Sequence, residues 1–175
     1  QTTSNNTAVG AFAFDAGTGA DNTAVGSGAL GGSSNSAIDN VAVGKDAGNS
    51  ISTGSYNTIL GSLAGDQITT GERNVALGYF ALGDDTVGSR SVAIGFAALE
   101  NQNYSTATNS YNIGIGYNAG ATLTTAEQNT FIGGLAGTNI TTANQNVAVG
   151  HGTLDAETAG ARNTAVGTNS LTSQN

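Results

Sequence analysis

The stretch Asn22-Thr23-Ala24-Val25-Gly26 is one copy of a five-residue box that recurs along the whole chain. The second residue of the box is Thr, Val or Ile, the third is usually Ala, and the fourth is Val, Leu or Ile. The box always ends in glycine, and successive box glycines lie 16 to 21 residues apart, most often 17: Gly10, Gly26, Gly44, Gly61, Gly78, Gly95, Gly116, Gly133, Gly150 and Gly167. A short, fixed period predicts stacked units that are each too small to fold alone.

Repeats are numbered 1 to 10 in chain order, and positions are counted from the box glycine at position 0. Aliphatic or β-branched residues at −3 and −1 indicate a short strand, because they alternate with period two. Position −2 is Ala in seven repeats and position +3 is Ala in eight. Each repeat is expected to form a strand, a glycine corner, a short second strand and a polar turn. The sequence therefore predicts an all-β parallel β-solenoid of ten coils of about 17 residues, a single domain over residues 1–175.

Position −4 is Asn in nine repeats, with Ser91 as the exception. A carboxamide both donates and accepts hydrogen bonds, so stacked copies are expected to form a structural ladder along the axis. The members of this ladder are Asn6, Asn22, Asn40, Asn57, Asn74, Asn112, Asn129, Asn146 and Asn163.

Composition excludes several classes of function. The net charge of −8, with four basic residues, argues against nucleic-acid or anionic-lipid partners. There is no cysteine for a disulfide or a thiolate metal site, and no apolar run long enough for membrane insertion. His151 is the only histidine, and the acid pair Asp84-Asp85 is interpreted as a solvated turn. We expect no enzyme, no cofactor and no metal site.

The constant alanines lead to an oligomer prediction. A 17-residue coil encloses few large side chains, and alanines at −2 or +3 would let neighbouring chains approach closely. Both ends of the chain fall within the repeat pattern without a capping segment, so we expect it to come from, or be flanked by, something longer.

The boxes Ser91-Val92-Ala93-Ile94-Gly95 and Asn74-Val75-Ala76-Leu77-Gly78 resemble the head repeats of trimeric autotransporter adhesins of the YadA type. The fuller unit over residues 70–82 is more similar still to repeats of phage tail fibres and related fibre proteins, since the autotransporter repeat is usually shorter. The resemblance implies a left-handed parallel β-roll in which three identical chains pack about a common axis. It also implies an extracellular location, on a cell surface or a virion tail fibre.

The candidate ligand-binding residues are mainly aromatic. Tyr79, Phe96 and Tyr117 occupy position +1 in three consecutive repeats, with Phe80 beside the first and with Arg73 and Arg90 at −5. Aromatic rings near arginine suit sugars or a protein partner, although such rings also fill space against a neighbouring chain. The 21-residue repeat carries four extra residues within 101–108, including Tyr104, and this segment is expected to protrude as a loop beside the aromatic residues.

The function expected from these features is that of a structural and attachment segment of a trimeric surface fibre or adhesin. Its partners would be two further copies of itself and a glycan or protein receptor on a host cell surface or matrix. One alternative is a monomeric β-solenoid that binds ice or a polysaccharide through the pairs Thr69-Thr70, Thr124-Thr125 and Thr141-Thr142. Adjacent threonines in a strand point to opposite faces, which counts against a flat threonine array. A second alternative is a spacer shaft with no ligand of its own.

Overall fold

The computed structural model describes residues 5–32, 35–155 and 160–172, which form a parallel β-solenoid of about nine turns with no helix. The ten box strands are β1 Thr7–Val9, β2 Thr23–Val25, β3 Val41–Val43, β4 Thr58–Leu60, β5 Val75–Leu77, β7 Val92–Ile94, β9 Ile113–Ile115, β10 Thr130–Ile132, β11 Val147–Val149 and β12 Thr164–Val166. Two shorter strands are β6 Gly88–Ser89 and β8 Thr108–Asn109.

The box strands pair in parallel, in chain order, and with equivalent box positions opposite each other. Between β5 and β7, for example, Val75 faces Val92 and Leu77 faces Ile94. The short strands β6 and β8 form a separate two-stranded sheet where the long repeat begins and ends. The predicted all-β parallel β-solenoid is therefore confirmed.

The predicted second strand in each repeat is wrong. After the box glycine the chain bends repeatedly, with left-handed backbone at positions +2 and +4, as at Phe80 (φ 57°) and Leu82 (φ 54°). A third left-handed residue precedes each strand at position −5, as at Arg73 (φ 58°). A strand requires negative φ, so these residues produce corners instead. The bends still bond from turn to turn, as where the Leu82 N–H donates to the Ala98 carbonyl at 3.0 Å.

The box strand turns its alanines inward, whereas the oligomer prediction placed them at the contact between chains. The side chains at −2 point into the coil and those at −3 and −1 point outward. Ala76 and Ala81, at −2 and +3, are fully buried inside their own chain, as are most of their equivalents. The alanines therefore cannot contact another copy, and the larger aliphatic residues at −3 and −1 form the outer face.

The residues at positions +4 and +7 compensate for each other in filling the interior. Where +4 is glycine, +7 is a buried aliphatic residue: Gly48 with Ile51, Gly65 with Ile68, Gly120 with Leu123 and Gly137 with Ile140. In repeats 5 and 6, where +4 is leucine, +7 is polar: Leu82 with Asp85 and Leu99 with Gln102. Phe131 is the one large ring at position −2, and it is fully buried. A Cβ added at Gly120 or Gly137 would lie 2.7 Å from its ring, so these glycines make its space.

Candidate interaction surfaces

The outward side chains at −3 and −1 form a continuous surface, here called the outer stripe. Its members are only Thr, Val, Leu and Ile, with no charged residue on any of the ten strands. Leu60 is 45% exposed, Leu77 37% and Val166 68%. With a rise of about 4.8 Å per strand, the stripe is roughly 43 Å long. A long exposed strip without charge, rich in valine, leucine and isoleucine, makes this face a candidate interaction surface.

A ladder of buried asparagines runs inside the solenoid at the start of the box strands. The backbone N–H of Asn57 donates to Asn40 Oδ1 at 2.9 Å, and that of Asn74 donates to Asn57 Oδ1 at 2.9 Å. Asn57 Nδ2 also donates to the Gly71 carbonyl at 3.0 Å. The pattern runs from Asn6 to Ser91 and again from Asn112 to Asn163. These side chains bond one turn to the next and are not placed to meet a ligand.

Tyr79, Phe96 and Tyr117 stack at the end of the box strand, beside the outer stripe, and are here called the aromatic ladder. Their ring centroids are 5.6 and 5.5 Å apart, with interplanar angles of 17° and 19°. Phe80 contacts Tyr79 edge-on, with centroids 4.8 Å apart. The three ladder rings are exposed, but their faces are turned towards one another. Ring edges are therefore the main surface that they offer, which fits a protein surface better than the face of a sugar ring.

The arginines do not lie beside this ladder but at the other end of the strand, in the column of −5 residues here called the corner row. The Arg73 guanidinium carbon lies 5.0 Å from the ring centroid of Tyr56, and that of Arg90 lies 5.9 Å from Tyr111. Arg90 Nη1 also donates to Asn109 Oδ1 at 2.7 Å, and Arg73 forms an ion pair with Glu72.

Tyr56 and Tyr111, the rings that these arginines contact, were not predicted from the sequence. Each occupies position −5 in the repeat next to an arginine at the same position, Arg73 for Tyr56 and Arg90 for Tyr111. Since equivalent positions stack in a solenoid, this placement was the available signal.

Although repeat 6 contains extra residues, Tyr104 does not protrude from the surface as predicted. Tyr104 is only 6% exposed, and its hydroxyl donates to the Ala126 carbonyl at 2.5 Å and accepts from Asn112 Nδ2 at 3.1 Å. Burial, reinforced by the negative charge of Asp85, raises the pKa of this phenol well above its ordinary value, so it remains a donor. Ser105, Thr106 and Ala107 do lie on the surface. An open groove of about 370 Å³ runs beside them, lined by Asn101, Asn103, Tyr104, Ser105 and Thr124.

A buried polar cluster lies beneath this groove. Asp85 is fully buried, which corrects its interpretation as part of a solvated turn, whereas Asp84 is exposed. Asp85 Oδ2 accepts from Gln102 Nε2 at 2.6 Å, and Asp85 Oδ1 accepts from the Gly88 N–H at 2.9 Å. Gln102 Oε1 in turn accepts from Asn112 Nδ2 at 2.8 Å.

The same cluster contains Ser91, the exception in the asparagine ladder, whose hydroxyl lies 2.5 Å from that of Ser110. Burial raises the pKa of the Asp85 carboxyl, and the hydrogen bonds from Gln102 and Gly88 partly oppose that rise. No cation in the described chain pairs with Asp85. The cluster therefore places a carboxylate that is costly to ionise inside the solenoid.

The threonine pairs do not form a flat array. Thr69 and Thr124 donate their hydroxyls to carbonyls of the following turn, at 2.9 Å to Thr86 and 3.0 Å to Thr141. Only the second residue of each pair is exposed, as at Thr70. Position +9, which these second residues share, is Val87 in repeat 5 and the buried Tyr104 in repeat 6. The column of exposed threonines is thus interrupted in the middle of the chain.

Within the described ranges, no group of three or more His, Cys, Asp or Glu residues could hold a metal ion. His151 is exposed on a turn. The same part of the chain contains no helix of the length and hydropathy needed to cross a membrane.

These features define a parallel β-solenoid repeat protein with one apolar outer face and a row of stacked aromatic rings along its edge. No protein-family model, curated protein or solved structure matches the chain.

Proposed function

We propose that this chain is a structural and attachment segment of a trimeric, extracellular fibre or adhesin, carried on a cell surface or a virion tail. The observation that carries the proposal is the outer stripe, an uncharged face on the ten adjacent strands of one sheet. Exposed valine, leucine and isoleucine at this density favour a permanent protein contact.

The best occupant of the outer stripe is a second copy of the same chain. The stripe presents the same pair of positions at every strand. Only a partner with the same rise per turn stays in step with this spacing over the whole length, and an identical chain has that rise. The number three follows from the resemblance to trimeric fibre repeats, and rotation about an axis closes such an assembly.

With the outer stripe covered, the turn side of the solenoid remains for a receptor. It carries the groove beside Tyr104 and the surface segment Ser105–Ala107. Attachment on this side would depend on side-chain recognition of a cell-surface glycan or protein and would involve no bond-making chemistry.

The experiment is a measurement of solution mass by light scattering over a wide dilution range. The proposal expects a mass three times that of the 17.1 kDa chain at every concentration. Leu60→Asp with Leu77→Asp would place charges in the stripe and should release monomers, because a buried carboxylate without a partner is strongly disfavoured. Gln67→Asp is the matched control, since Gln67 is exposed on a turn outside the stripe. A wild-type monomer that persists at high concentration would refute the proposal.

A further inference from the structure

Aromatic residues and arginines are concentrated at both edges of the outer stripe in repeats 5 to 7, and Tyr56 extends the corner row into repeat 4. Repeats 5, 6 and 7 carry the aromatic ladder at position +1 and Arg73, Arg90 and Tyr111 at position −5. The other repeats have no aromatic residue other than histidine at +1: Ala11, Ser27, Lys45, Ser62, Gly134, His151 and Thr168. Outside repeats 4 to 7, the corner row consists of Asn5, Asp21, Asp39, Gln128, Gln145 and Arg162.

The two edges cannot meet within one chain. Arg90 and Phe96 are six residues apart with the extended strand β7 between them, which separates them by up to about 20 Å. The observed contacts agree, because each arginine rests on a tyrosine of the corner row and the ladder rings rest on one another. Nothing within a single chain explains why both edges are unusual at the same height.

A rotational assembly brings the two edges together. When copies are related by rotation about an axis parallel to the solenoid, with their outer stripes facing that axis, every box strand circulates in the same direction. The end of a strand in one copy then approaches the start of the equivalent strand in the next copy. Position +1 of one copy therefore meets position −5 of its neighbour, repeat for repeat.

We propose that the aromatic ladder of one copy packs against the corner row of the next, and that this seam fixes the axial register of the three chains. The inference rests on the trimer proposed above. In the symmetric ring Tyr79 meets Arg73, Phe96 meets Arg90 and Tyr117 meets Tyr111. The phenol oxygen of Tyr79 can accept hydrogen bonds from the Arg73 guanidinium, and the aliphatic stem of Arg90 can pack against the ring of Phe96.

A register lock is needed because the outer stripe repeats itself. A chain that slips along the axis by one turn, about 4.8 Å, keeps nearly all of its apolar contacts. In a closed ring, a slipped chain shifts its own +1 edge along the corner row of one neighbour. It also shifts its own corner row along the +1 edge of the other neighbour, so the two seams are offset in opposite directions. One of those seams then places Tyr117 opposite Gln128 and Ser62 opposite Arg73, so every slipped ring loses contacts that the symmetric ring retains.

Disulfide trapping tests both the contact and the register, because the chain has no cysteine of its own. The pair Gly134→Cys with Gln128→Cys lies in repeat 8 at +1 and −5 and should link neighbouring copies of a symmetric ring. The pair Gly134→Cys with Gln145→Cys joins positions one turn apart. A disulfide needs Cα atoms within about 7 Å, so the same-repeat pair should link roughly tenfold faster than the offset pair.

Replacing Tyr79, Phe96 and Tyr117 by serine should bring that rate ratio towards one while three chains remain associated. Lys45→Ser with His151→Ser changes the same +1 position in other repeats and should leave the ratio unchanged. If the serine variant dissociates, the ladder lies in the interface, and Arg73→Gln with Arg90→Gln should then reduce the ratio within an intact assembly.

The outcomes separate this inference from the trimer itself. An assembly of three chains in which the same-repeat pair does not link would overturn the seam and leave the trimer standing. A ratio that is unchanged in both the ladder and the arginine variants would overturn the register lock. A monomeric wild type would overturn the seam together with the proposed function.

Discussion

Replacing the box glycine Gly95 by alanine tests the stacking geometry directly. Gly95 has φ of +131°, and a Cβ at this position would lie 2.4 Å from the carbonyl oxygen of Gly116, the box glycine of the next turn. That oxygen belongs to backbone, so relief requires the two turns to separate locally. The hydrogen bond from the Gly116 N–H to the Ile94 carbonyl, 2.7 Å long, lies at the point of separation.

The expected loss of stability follows from these two effects. Holding a residue with a side chain in so sparsely populated a backbone region costs about 1–3 kcal/mol. Weakening one backbone hydrogen bond adds about 0.5–1.5 kcal/mol. The free energy of unfolding should therefore fall by about 2–4 kcal/mol, a decrease in Tm of roughly 5–15 °C for a chain of this length.

Urea denaturation followed by circular dichroism measures this change, and Gly134→Ala supplies the matched control. A Cβ at Gly134 would lie 3.4 Å from His151 Cδ2, which is ordinary van der Waals contact. Alanine there should be neutral or stabilising by up to about 1 kcal/mol, because it restricts the unfolded chain. Equal midpoints for the two variants would refute the close approach of successive box glycines.

Two further changes probe the interior. Phe131→Ala empties the site between Gly120 and Gly137 and should cost about 3–5 kcal/mol by the same urea measurement, whereas Phe12→Ala, at a 71% exposed ring, should change stability by no more than about 0.5 kcal/mol. Because the folded pKa of Asp85 is raised, the native state binds the proton more tightly than the unfolded chain, and stability falls as pH rises from the ordinary value of 3.8 through the folded pKa. Asp85→Asn should remove this dependence of stability on pH, although it should also lower stability at every pH by disturbing the contact with Gln102. An unchanged slope of stability against pH would show that the carboxyl is not buried as described.

The strand positions and the parallel stacking could be predicted from the sequence because both are periodic. Each box has the alternation of a strand, and a constant spacing allows equivalent residues such as Val75 and Val92 to pair. The orientation of the strand was harder to predict, since one face carries alanine and the other valine or isoleucine, and both are apolar. The narrow coil takes Ala76 inside and leaves Leu77 outside, and it accommodates the larger Phe131 at the same position beside Gly120 and Gly137.

The corners and the site residues were hidden for different reasons. Left-handed backbone is commonly marked by glycine, but here it is also adopted by Phe80, Leu82 and Arg73, so composition gave no signal for the bends. Asp85 occupies a polar turn in sequence but takes an interior position that Ile68 fills in the preceding repeat. The stacking of Arg90 on Tyr111 depends on alignment between turns, which local patterns do not contain.

The distribution of side chains between the two faces also supports the proposed assembly into a fibre. Inside, four repeats hold alanines at −2 and +3 with one larger aliphatic side chain, whereas outside the strands present up to two aliphatic side chains. Covering a fully exposed valine, leucine or isoleucine contributes about 1.5–3 kcal/mol, and a half-exposed one roughly half of that. This gain grows with every repeat, while the loss of translational and rotational freedom, about 4–15 kcal/mol, occurs once for each association. In the proposed trimer a single repeat would not offset that loss, whereas ten repeats in register would, so the length of the array favours the proposed assembly through the outer stripe.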